Sequence, residues 1–157
     1  MGIKIVQGLY SLALVLFTAI ASKYFTDIGL NNFYSILNLP EVTPENSYFR
    51  IIWRWLYFLL FLSFYIILLS KKTAEEFNEA NSLFISQLFL QILWCFSFFF
   101  MGQMSASAIV IVLLFMEFFL MWRSFFVINK WAGAILIPYF VWIMFACFLN
   151  INIANMN

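Results

Sequence analysis

Histidine is missing altogether from these 157 residues, and charge is scarce: eight Lys or Arg and seven Asp or Glu make up 10% of the chain. Each shortage closes a class of function. Without imidazole there is no Ser-His or Cys-His nucleophile pair, no His-bound zinc and no imidazole-ligated haem. A net charge of +1 offers no basic footprint, which excludes nucleic acid as a partner. The two cysteines, Cys95 and Cys147, lie far apart inside apolar runs and read as small packing residues, so no metal set is available. What fills the chain instead is 66% hydrophobic residues, with 22% aromatic. Average globular chains are roughly half apolar and about a quarter charged. A water-soluble domain of this composition could not cover itself, so the chain belongs in a lipid bilayer.

The charges fall in clusters, and the gaps between them match the roughly 20 apolar residues that cross a ~30 Å hydrocarbon core. Residues 5–22 carry none, and 51–70 carry only Arg54. The uncharged interval between Glu79 and Glu117 is too long for one span and too apolar for a loop. Gly102, Gln103, Ser105 and Ser107 supply a turn within it. The pattern predicts an all-α bundle of five transmembrane helices in a single domain, over about 5–22, 51–70, 82–101, 106–126 and 132–153. The longest connection is the loop 23–50. Thr73 followed by Glu76 has the form of a capping box, opening either a short helix or an extended third one.

Five spans put the termini on opposite sides of an integral, multi-pass membrane protein. Lys4, Lys71, Lys72, Arg123 and Lys130 fall on the N-terminal side and Lys23, Arg50 and Arg54 on the other, which favours a cytoplasmic N-terminus. Lys4, the apolar run and Ala19-Ile20-Ala21 also follow the order of a cleaved signal peptide. The run is longer than the 7–15 residues such signals use, which favours a retained helix.

Between Phe33 and Tyr57 the chain reads FYSILNLPEVTPENSYFRIIWRWLY. It resembles the signature of the translocator protein (TspO/MBR) family, also known as tryptophan-rich sensory proteins or peripheral benzodiazepine receptors. Tyr34, Leu37, Pro40, Pro44, Trp53, Leu56 and Tyr57 stand at matching positions. Gln87, Leu88, Leu90 and Trp94 match a second block, and Pro138, Tyr139, Trp142, Phe145, Leu149 and Asn150 match a third. The chain departs from the family at Leu39, Val42, Glu45 and Gln91. It ends INIANMN, without the Tyr and Arg of the sterol-recognition pattern of animal members. No dedicated sterol site is expected there.

The resemblance implies a pocket for porphyrins, such as protoporphyrin IX, and related hydrophobic ligands, covered by Tyr34, Leu37, Pro40, Val42 and Pro44. No cofactor is required, the porphyrin being a ligand. Gln87, Gln91 and Trp94 share one helical stripe, as do Pro138, Trp142, Phe145, Ala146 and Leu149, while Trp53 and Tyr57 stack one turn apart. Turned inward, these stripes would enclose one cavity of indoles, a phenol and amides, suited to a flat, largely apolar ligand. Alternatives stay open for several residues. Gln87 and Gln91 can instead bond between helices, and Ala146 can serve close packing. Pro138 reads as a kink. Arg50 and Arg54 can snorkel to headgroups or meet a propionate. Trp55, Trp122 and Trp131 read as interfacial.

Glu117 falls near the centre of the fourth span, where a charge costs at least ~2.5 kcal/mol. It is expected to be neutral, bonded to an amide such as Gln91, or set at an interface between two copies of the chain. Three functional readings follow. One is a porphyrin-binding protein of tetrapyrrole sensing, transport or disposal. Another, implied by the resemblance, is light-dependent porphyrin degradation through Trp53 and Trp142. The last is a structural assembly subunit. A proton-coupled transporter has the least support, since no inverted repeat is visible.

Overall fold

In a bilayer every backbone polar group must be satisfied within the chain, and helices do this segment by segment. The computed structural model describes residues 2–157, and among them there is no strand. Five helices are long and apolar enough to cross a membrane. They are α1 (Gly2–Asn32), α2 (Asn46–Leu69), α3 (Ala74–Cys95), α4 (Met104–Ile128) and α6 (Ile137–Met156), with a short α5 (Lys130–Ile135) before the last. A π turn, Phe96–Phe100, continues α3.

The helix ends differ from the charge-gap reading wherever a charge lies within a helix instead of ending it. The first helix does not stop at residue 22 but runs to Asn32. Lys23 and Asp27, one turn apart, pair on its surface, and the Thr26 hydroxyl donates to the Ser22 carbonyl at 2.8 Å. The expected loop 23–50 therefore shrinks to 33–45. The third helix starts at Ala74, not at 82, because Thr73 and Glu76 form the capping box. The Thr73 hydroxyl accepts from the Glu76 N–H at 3.1 Å, and the Thr73 N–H donates to the Glu76 carboxylate at 2.7 Å.

The last span, expected as one helix over 132–153, is broken at Leu136. Its N–H donates to the Gly133 carbonyl at 3.1 Å and closes α5 tightly. Pro138 then lies in the first turn of α6, where its missing N–H costs nothing. It starts a helix and does not kink one.

Apolar surface drives no association between helices in lipid, so close packing must hold them. Phe64 stacks on Phe84 with centroids 3.9 Å apart, and Phe125 packs on both; all three are fully buried. Phe118 stacks on Tyr139 at 4.6 Å. The α1 helix packs against α2, α3 and the π turn. Its Ser11 hydroxyl donates to the Phe61 carbonyl at 3.1 Å and its Gln7 amide to the Leu68 carbonyl at 3.2 Å. At Gly29 the backbones meet so closely that a Cβ would stand 2.8 Å from the Phe99 Cα. The turn into α4 is made by Gly102, whose φ of +64° suits glycine.

Candidate functional site

A cleft of about 230 Å³ lies between α1, α2 and α3. The α2 helix contributes Phe49, Trp53 and Tyr57, α3 contributes Gln91, Trp94 and Cys95, and α1 contributes Ala19, Ile20, Ser22 and Thr26. Lys23 and Asp27 of α1 and Arg50 and Arg54 of α2 complete the lining. The α3 residues reach it because Gln87, Gln91 and Trp94 form one inward stripe, all buried. The rings interlock: Trp53 stands 5.8 Å from Trp94, 6.0 Å from Tyr57 and 6.1 Å from Tyr139.

Polar atoms in this wall have no partner. The indole Nε1 of Trp53 and of Trp94 and the Ser22 hydroxyl oxygen are buried without a hydrogen bond. Buried donors are rarely left so, and each calls for an explanation. Beneath the cleft a connected network is satisfied almost completely. The Gln87 amide donates to the Tyr139 hydroxyl at 3.2 Å, which donates to the Gln91 carbonyl oxygen at 3.0 Å. The Gln91 amide in turn reaches the Cys95 sulfur at 3.9 Å. Gln87 thus serves as an interhelical bond between α3 and α6 and lies outside the cleft, whereas Gln91 takes part in both.

The α6 stripe does not reach this cleft. Pro138, Trp142 and Phe145 line a second, outward-opening groove of about 470 Å³ between α2 and α6, with Ile52, Trp55, Leu56, Leu59 and Val141. Ala146 and Leu149 are buried and line neither opening. The single expected cavity is therefore two, on opposite flanks of α2. The reason is angular: the interior face of α6 is Tyr139, Ile143, Ala146, Leu149 and Ile153, about 100° from the 138/142/145 edge. Trp53 and Trp142 consequently line different openings, with Phe49 between them at 6.0 and 5.8 Å.

Of the loop residues, Tyr34 packs on Phe98 and Phe99 at 6.4 and 6.0 Å, and burial pushes its phenol above the ordinary value. Leu37 is half-buried against the core, Pro40 and Pro44 are half-buried, and Val42 is exposed. None of the five lines either opening. The loop is instead tied to the C-terminus, where the Asn157 side chain accepts from the Asn38 N–H at 2.9 Å and donates to its carbonyl at 3.0 Å.

Glu117 is half-buried on α4, flanked by exposed Leu113, Met116 and Leu120. Gln91, its expected amide partner, bonds Tyr139 and Cys95 instead. Trp122 also departs from a purely interfacial role, since its indole donates to the Gly133 carbonyl at 2.9 Å; Trp55 and Trp131 are exposed.

Sequence reasoning did not place Phe49 or the α1 wall in the site; it matched Tyr139 to the third block without a site role and read Cys95 only as a packing residue. The signal was present on α1, where Ser11, Val15, Thr18, Ser22 and Gly29 recur at spacings of 4, 3, 4 and 7 and are its buried residues. Small and weakly polar residues at that spacing mark a packing face in a membrane helix.

Known sequences match this arrangement along most of its length. The TspO/MBR family profile covers residues 11–156. The tryptophan-rich protein TspO of Chlorobaculum tepidum is 30% identical over 146 residues, 93% of this chain and 92% of that protein. The tryptophan-rich sensory protein of Cereibacter sphaeroides is 31% identical over 128 residues, 81% and 78% of the respective chains. The tryptophan-rich protein TspO of Archaeoglobus fulgidus is 29% identical over 154 residues, 98% and 99% of the two.

Proposed function

The chain belongs to the TspO/MBR family, and from that premise we propose that it is a membrane receptor for a flat, largely apolar ligand of the porphyrin class. The ligand lies between α1, α2 and α3, against Trp53, Tyr57 and Trp94, and serves tetrapyrrole sensing or disposal. The observation that carries this reading is the pair of buried indole N–H groups, of Trp53 and Trp94, left without partners in the wall of an apolar cleft. A ligand bearing hydrogen-bond acceptors, such as imine-type ring nitrogens or carbonyl oxygens, satisfies them while its faces stack on the rings.

Size sets a condition. The cleft, about 230 Å³, falls below the roughly 300 Å³ at which drug-sized pockets begin. A tetrapyrrole enters only if α1 moves outward or if part of the ring stays in the bilayer. The charge bias of the loops reads the N-terminal side as cytoplasmic.

Titration of the purified protein with protoporphyrin IX, followed by intrinsic tryptophan fluorescence, tests the reading. Saturable quenching is expected. Trp53→Phe and Trp94→Phe each keep a ring but lose a hydrogen bond of about 0.5–1.5 kcal/mol, so each weakens binding by about two- to twelvefold. Trp142→Phe, in the other groove, leaves it unchanged. A linear, unsaturable response, or equal effects of all three variants, would refute it.

A further inference from the structure

The cleft is apolar within and charged at its mouth, and the charges do not balance. Among the described residues the one ion pair is Lys23 with Asp27 on α1, which sets one cation against the one carboxylate of the lining. Arg50 and Arg54 remain, one turn apart on α2, both exposed at the same mouth. Neither forms an ion pair, although Glu41 and Glu45 stand in the loop that leads into α2. Like charges at this spacing repel each other, so an anion between them relieves a standing cost.

Arginines that merely snorkel to lipid phosphate need only be exposed. These two share their cleft with three buried polar atoms that lack partners, the Trp53 and Trp94 Nε1 and the Ser22 hydroxyl. An alkyl chain satisfies neither the inner donors nor the outer cations. A phospholipid headgroup satisfies only the cations.

We propose that the cleft selects an amphiphile ending in a carboxylate. Its acceptor-bearing, flat body lies among Trp53, Tyr57 and Trp94, and its carboxylate is held at the mouth by the Arg50 and Arg54 guanidinium groups, whose planar forks match carboxylate geometry. Lys23 joins them when the anion displaces Asp27. This rests on the ligand-binding reading above and specifies which end of the ligand the protein recognises by charge. Arg50 and Arg54 are then specificity-determining residues, and Asp27 is a built-in competitor for the same cation.

The test uses the full chain in phosphatidylcholine nanodiscs and compares protoporphyrin IX with its dimethyl ester, which keeps the ring and lacks the anions. The wild type is expected to bind the free acid more tightly than the ester. Charge-assisted bonds are strong, and these are exposed and screened by solvent, so Arg50→Gln with Arg54→Gln should cost about tenfold for the acid. The ester should change by less than about twofold. Arg50→Lys with Arg54→Lys, which keeps the charge, retains part of the preference and separates recognition from folding. Asp27→Asn tightens the acid and not the ester.

Equal loss for acid and ester in the Gln pair, or no loss for the acid, overturns the proposal. So does a Gln pair whose acid binding is intact but whose sensitivity to added phosphatidylglycerol is lost, since the arginines then hold lipid headgroups. If the ester binds the wild type as well as the acid does, charge selection fails while the receptor reading stands. If neither binds saturably, both fail.

Discussion

Tyr139 offers a clean perturbation, because Tyr139→Phe removes one oxygen and keeps the ring that stacks on Phe118 and meets Trp53 edge-on. That oxygen accepts from Gln87 and donates to Gln91, and Tyr139, Gln87 and Gln91 are all buried. Side-chain hydrogen bonds between membrane helices average about 0.6 kcal/mol and reach about 1.7. Two of them give a loss of about 1–3 kcal/mol. The upper half of that range is expected, since Gln87 and Gln91 are buried and the loss of the hydroxyl leaves their amide groups without a partner. Gln91 keeps only its long contact to Cys95 and is freed to turn into the cleft, so ligand affinity should shift as well. Reversible unfolding in mixed dodecyl maltoside and dodecyl sulfate micelles measures the stability, and a cycle with Gln91→Leu measures the coupling. A stability change below about 0.5 kcal/mol, or strict additivity in the cycle, would refute the claim that this hydroxyl ties α3 to α6.

Two further outcomes are expected. Gly29→Ala forces a methyl group within 2.5 Å of the Phe99 carbonyl oxygen and should cost about 1–3 kcal/mol; Gly8→Ala, which meets only the Tyr65 ring at 3.4 Å, should be tolerated in the same unfolding assay. Glu117→Gln, remote from the cleft lining, should leave porphyrin affinity unchanged and make α4 insert more favourably, by a part of the ~2.5–3.5 kcal/mol of a mid-membrane charge; a loss of affinity would tie it to the site.

Charge gaps located all five spans because insertion cost depends on which residues lie where along a segment, and that is written in the sequence. The capping box at Thr73 and Glu76 was legible for a similar reason, being local and geometric. Helix ends were misread where charges satisfy one another on a helix surface, as Lys23 and Asp27 do. Which aromatic faced which neighbour was not legible. Trp142 and Tyr139 both belong to an aromatic-rich face of α6, and a rotation of about 60° decides which of them enters the core. That rotation is set by packing against α4 and by the break at Leu136. The α1 wall was not legible because its inward residues are small and weakly polar, with no ring to set them apart in a chain with 22 Phe.

The π turn at the end of α3 has a consequence for changes of length. Its closing bond joins the Met101 N–H to the Phe96 carbonyl at 2.9 Å, so it takes up one residue more than an α-turn would, and neighbouring Phe98 and Phe99 are both buried there. Removing a single residue between 96 and 100 would restore ordinary helix and still leave a segment long enough for the bilayer. It would also remove the widened turn on which the Phe99 backbone meets Gly29. At this point span length and local girth are separate variables: a one-residue deletion that the membrane would accept is one that α1 would not.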